Sequence, residues 1–94
     1  MSTAEPLTSK TWQVRIDIGE HAGTTHAVAR LDTGCGTDLR GVGEAHVNRH
    51  DLDVPEIGDE LATARALSYL ADALLDTAAG DLTRVLHDAV NLGR

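Results

Sequence analysis

His46 and His50, followed by Asp51 and Asp53, come nearest to a metal-ligand run in this 94-residue chain. Two histidines four apart grip one ion from a helix, where positions i and i+4 share a face. His46 instead ends a stretch with the period of a strand, so these side chains read as solvated polar groups and no metal site is predicted. Cys35 lies between Gly34 and Gly36 with Asp32 and Asp38 nearby and no Lys or Arg beside it, the reverse of the electropositive setting that makes a thiol reactive. It reads as a tolerated loop residue. Gly41-Val42-Gly43 sits inside a strand pattern with no helix N-terminus after it, which a phosphate-cradling glycine loop requires. Ser9 and Ser68 have no His and Asp in a nucleophile arrangement, and the adjacent acids Asp59 and Glu60 point to different helix faces. No catalytic residue, cofactor site or small-molecule substrate is predicted, and the expectation is a protein that is not an enzyme. One cluster is left. Arg15, Arg30 and Arg40 fall on neighbouring strands and one sheet face, where they are the candidate macromolecule-binding residues. Such a row can contact phosphates, or it can pair across strands with Asp17 and Glu44.

The elements that must position these arginines are legible from periodicity. Residues 1–10 lack an apolar period and read as a flexible N-terminal tail; residues 11–94 read as one domain. From Thr11 the chain alternates strictly, with Trp12, Val14, Ile16 and Ile18 on one side and Gln13, Arg15 and Asp17 on the other, a half-buried strand. Glu20-His21-Ala22-Gly23 interrupts it, and Ala27, Ala29 and Leu31 then alternate with His26, Val28 and Arg30. The pair reads as a hairpin. Asp32 to Asp38 has the composition of an exposed loop. Leu39 to Val47 gives a third strand, whose Gly41 and Gly43 leave its inner face bare, so either a helix packs very close there or the strand bends.

Asn48 to Pro55 reads as a connection, and helical spacing follows from about residue 58, with Asp59 as N-cap and Glu56, Asp59 and Glu60 placed to favour the helix dipole. On a helical wheel Ala64, Leu67, Leu70, Ala71, Leu74, Leu75 and Ala78 share an arc of about 140°, wide enough for two surfaces. Gly80 is placed to end that helix and Asp81 to cap a second, in which Leu82, Val85, Leu86, Ala89 and Val90 share a face. The fold class expected is therefore α+β: a three-stranded antiparallel sheet with two C-terminal helices on one face, in the order β-β-β-α-α.

Composition bounds what such a domain can do. The chain has 8 Lys+Arg against 15 Asp+Glu, a formal charge of −7, and only Trp12 and Tyr69 are aromatic. A core of Leu, Val, Ile and Ala in so short a chain is thin, which makes oligomerisation an attractive supplement. Residues 1–50 carry 5 basic and 6 acidic groups, and residues 51–94 carry 3 and 9. The helical half is thus the acidic half, a poor match for polyphosphate or anionic lipid. A single cysteine, no apolar leader and no apolar run of membrane-spanning length point to a cytoplasmic protein with no membrane partner.

Several stretches resemble a family of small actinobacterial proteins of unassigned function. These are Val54-Pro55-Glu56-Ile57-Gly58-Asp59-Glu60-Leu61 with Ala64-Arg65-Ala66-Leu67-Ser68, together with Ala27 to Leu31, Gly41-Val42-Gly43 and the Trp12-x-Val14-x-Ile16 strand. The resemblance covers about residues 11–90. It implies an association with dormancy and low-oxygen stress, a homodimer, and a double-stranded-RNA-binding-like fold similar to that of ribosome hibernation promoting factors. Those factors bring basic helices to ribosomal RNA, which this acidic helical half does not match. A ribosome contact is therefore expected through Arg15, Arg30 and Arg40, or with a ribosomal protein. The alternative expectation is an acidic protein–protein interaction module with no RNA contact.

Overall fold

The computed structural model describes residues 8–36, 38–46 and 54–92. Three strands, β1 (Gln13–His21), β2 (Thr24–Asp32) and β3 (Leu39–His46), are followed by one helix, α1 (Pro55–Leu92). The strands form an antiparallel sheet in the order β1-β2-β3. The first hairpin closes on two residues, Ala22 and Gly23, both with positive φ (51° and 82°). This is the backbone whose twist matches that of the flanking strands, and it lets both strands run longer than their apolar alternation alone indicates. Most of the expected N-terminal tail, the end of the third strand at Val47, and His50, Asp51 and Asp53 lie outside the described residues.

Register follows from that turn. Val14 opposes Leu31, Ile16 opposes Ala29 and Ile18 opposes Ala27, while Ala29 opposes Gly41 and Ala27 opposes Gly43. These residues share one face, and α1 lies over its β2 and β3 side. Ala27, Ala29, Leu31 and Ala45 are buried there against Ala62, Ala66 and Leu70, with Ile16, Leu39 and Leu74 packed at the margin. The two glycines explain how close the helix comes. A Cβ on Gly43 would run into the backbone carbonyl of Ala62 and the backbone nitrogen of Ala66, and one on Gly41 into the same atoms one turn further on, at Ala66 and Leu70. Helix backbone occupies the space a side chain would fill, so the first of the two explanations for the bare strand face holds.

The expected helices are corrected in two respects, first in their extent. The helix does not stop at Gly80: one 38-residue helix replaces the expected two. A helix-interior glycine costs about 1 kcal/mol relative to alanine and halts a helix only where the chain turns left-handed after it. Gly80 is not among the positive-φ glycines. The helix runs on through it, with Arg84 bonding Asp81 at 3.1 Å and the Thr83 hydroxyl donating to the Ala79 carbonyl at 2.9 Å. It also starts earlier than expected, at Pro55, whose fixed φ and missing N–H suit the first helical position. Asp59 lies a turn inside instead of capping, and the Ile57 N–H bonds the Val54 carbonyl at 3.0 Å.

The second correction concerns which helix face packs. The buried row is Gly58, Ala62, Ala66 and Leu70, spaced four apart. Of the predicted leucine-rich arc only Leu70, and in part Leu74, reach the sheet. A bare strand face brings the helix axis so near that only Gly and Ala fit along the seam, and leucines are displaced to its flanks. Because no second helix folds back, β1 is covered only in part at Ile16 among the described residues. Val14 and Ile18 remain 43% and 47% exposed on the core side of the sheet. A single helix about 10 Å wide spans only two strands spaced roughly 4.8 Å apart.

Candidate functional site

The face away from the helix carries the predicted cluster. Register sets Arg15 opposite Arg30, and Arg30 opposite Arg40, so the three guanidinium stems form one row across all three strands. Strand alternation places them there: Arg30 follows buried Ala29, Arg40 precedes buried Gly41, and Arg15 precedes Ile16. All three are exposed. The next row is Asp17, Val28 and Val42, followed by Gly19, His26 and Glu44.

The acids on this face are occupied in ways that leave most of the row alone. Arg15 Nε donates to Asp17 Oδ1 at 3.3 Å. Glu44, expected to pair with an arginine of the row, instead faces His26, with Oε1 3.5 Å from Nδ1. Asp32 Oδ1 accepts the Gly34 N–H at 2.8 Å, closing the turn that follows β2. Among the described residues, neither Arg30 nor Arg40 has a carboxylate partner. Like charges directly across strands disfavour the sheet, so the row costs stability in the isolated chain, a cost that a bound anion reverses. A depression of about 630 Å³ opens where Gln13, Val14, Arg15, Arg30 and Asp32 meet.

The remaining candidates stay apart. Cys35 is exposed in the loop after β2, its N–H bonding the Thr33 hydroxyl at 3.3 Å. His46 shares a 3.0 Å hydrogen bond with the Thr24 hydroxyl at the far end of the sheet. Among the described residues no three His, Cys, Asp or Glu side chains gather as a metal would need. No helix among them is long and apolar enough to cross a membrane. Sequence reading missed one polar link: Arg65 Nη1 donates to the Glu44 carbonyl at 2.6 Å, tying the helix to the outer edge of β3.

Together these features define a small α+β domain with a helix-covered face and an open, arginine-bearing one. The Rv2632c-like family model matches residues 10–91, and the chain belongs to that family. An uncharacterized protein of Mycobacterium bovis, Mb1767, is 47% identical over 81 residues, which are 86% of this chain and 85% of that protein. Rv2632c of Mycobacterium tuberculosis, also uncharacterized, is 43% identical over 86% of each chain. The crystal structure of Rv2632c matches with a TM-score of 0.80 at 41% identity, covering 88% of this chain and 98% of that one.

Proposed function

We propose that this chain is a non-enzymatic cytoplasmic regulator that binds the ribosome through its open sheet face, with Arg15, Arg30 and Arg40 on ribosomal RNA phosphates. The observation that carries the reading is the in-register arginine row, two of whose members have no carboxylate partner among the described residues. Guanidinium groups match phosphate oxygens in a two-pronged geometry, and strand spacing spreads the row over roughly 10 Å. Val28 and Val42 give the row an apolar shoulder suited to a sugar or a neighbouring protein. The ribosome as target, and a role in stress or dormancy, rest on the resemblance to hibernation promoting factors.

The charge distribution supports the choice of face. The helix bears the chain's excess acid and would be repelled by RNA, so a ribosome contact has to come from the sheet side. Co-sedimentation with ribosomal subunits at two salt concentrations tests this. If the row neutralises three phosphates, affinity falls roughly 15- to 40-fold between 50 and 200 mM salt, and the variant with Arg15, Arg30 and Arg40 all replaced by Ala no longer sediments. Absence of association at low salt overturns the proposal. Association that is indifferent to salt and to the three substitutions favours the second reading, a protein-binding module using the acidic helix.

A further inference from the structure

We infer that Asp32, together with Gln13, reads the ribose 2′-hydroxyl of an RNA strand whose phosphates lie on the arginine row, so that the open sheet face tells RNA from DNA. This rests on the reading of the row as a phosphate-binding surface and adds the sugar to it.

Register sets Gln13 opposite Asp32 and Arg15 opposite Arg30, all on the face away from α1, and one depression takes in the four of them. An acid two residues from an unpaired arginine on the same strand face would ordinarily turn to it. Asp32 does not. Among the described residues its carboxylate makes no ion pair, and Oδ1 accepts the Gly34 N–H at 2.8 Å. The loop after β2 thus holds the carboxylate in place and leaves Oδ2 to accept from a ligand. Its cross-strand neighbour is an amide, about 5 Å away by strand pairing. A group that only accepts and a group that also donates therefore share one spot. A phosphate there is repelled by Asp32, and a cation by Arg30. A hydroxyl satisfies both side chains, donating its proton to Asp32 Oδ2 and accepting from Gln13 Nε2.

The depression thus sets a subsite for an anion beside a subsite for a neutral hydroxyl. Arg30 and Asp32 are about 7 Å apart along the strand, a step of the order that separates a backbone phosphate from the sugar hydroxyl of its own nucleotide. A chain of alternating phosphate and ribose has that pattern. Carboxylates hold ribose hydroxyls in this way in dinucleotide sites, and the 2′-hydroxyl is the group by which a protein separates RNA from DNA. None of the three strands contains Phe, Tyr or Trp, so the strand is read by its backbone and not by stacked bases.

Fluorescence anisotropy on the full chain at low salt tests this, with labelled oligouridylate, its 2′-deoxy form and its 2′-O-methyl form as probes. The methylated strand keeps the oxygen and has no proton to donate. It and the deoxy strand are both expected to bind about 10-fold more weakly than RNA, the contribution of one hydrogen bond to a charged group. Asp32→Ala, with its circular dichroism retained, is expected to bind the three strands alike, and the variant lacking all three arginines to bind none. Equal affinity of the wild-type chain for the three strands, or no affinity for any, overturns the inference without recourse to a variant. So does an Asp32→Ala chain that still prefers RNA. Uridine monophosphate, with one phosphate for a row of three arginines, is expected to compete poorly. Competition at the oligomer's own concentration would make the depression a mononucleotide pocket and overturn the assignment to an RNA strand. The row is judged separately: ribosome association that weakens with salt and is lost with the three arginines upholds it even where the oligomers bind alike.

Discussion

At the residue scale, the two β3 glycines decide the architecture. Elsewhere in the sheet a methyl group is easily accommodated, as buried Ala27, Ala29 and Ala45 show. At Gly43 the added carbon meets a helix carbonyl and amide, which belong to a rigid rod and cannot rotate aside. Gly43→Ala is therefore expected to push α1 off the sheet and to cost at least about 2–3 kcal/mol, the upper end of overpacking losses, measured by urea unfolding. A loss under about 0.5 kcal/mol, the range of ordinary surface substitutions, would show that the seam is looser than described. The arginine row obeys different logic: its members cross no other element, and their replacement by alanine should relieve repulsion while removing the contact to phosphate.

At the scale of elements, strands and their faces were readable from alternation, and the arginine row with them, because a period of two fixes which side chains share a face once the hairpin sets the register. The helix was readable as helical throughout. What alternation and wheel plots could not supply was continuity and depth. Gly80 followed by Asp81 has the form of a stop and a restart, yet a glycine cap works through a left-handed turn, and Gly80 does not make one. Gly80→Ala is accordingly expected to stabilise by about 1 kcal/mol, the helix-interior preference for alanine, seen as a higher urea midpoint with unchanged helix content; if Gly80 were a hinge, the substitution would destabilise instead. Depth was misread for a related reason. Hydrophobicity ranks leucine above alanine as a core former, but a glycine-floored groove selects by size, and the alanine row wins. The leucines this frees are invisible as surface residues until the seam is located.

At the scale of the whole molecule, the ribosome contact proposed above and the homodimer that the family resemblance implies have opposite electrostatics. Pairing joins two bodies of charge −7 through apolar contact, so added salt screens their repulsion and tightens it. Ribosome contact through guanidinium groups releases counterions and weakens with salt. Titrating sodium chloride from 50 to 500 mM should therefore raise the dimer fraction measured by sedimentation while lowering ribosome occupancy, and the thermal midpoint should climb with protein concentration, as expected when only the folded form associates. A midpoint independent of concentration over a hundredfold range would count against pairing.

The Arg65 side chain has a consequence at this scale as well. By seizing the Glu44 carbonyl it blunts one margin of the sheet, so that a stranger's backbone has little to template upon there. Among the described residues β1 carries no such latch, so strand addition is expected at β1 before β3.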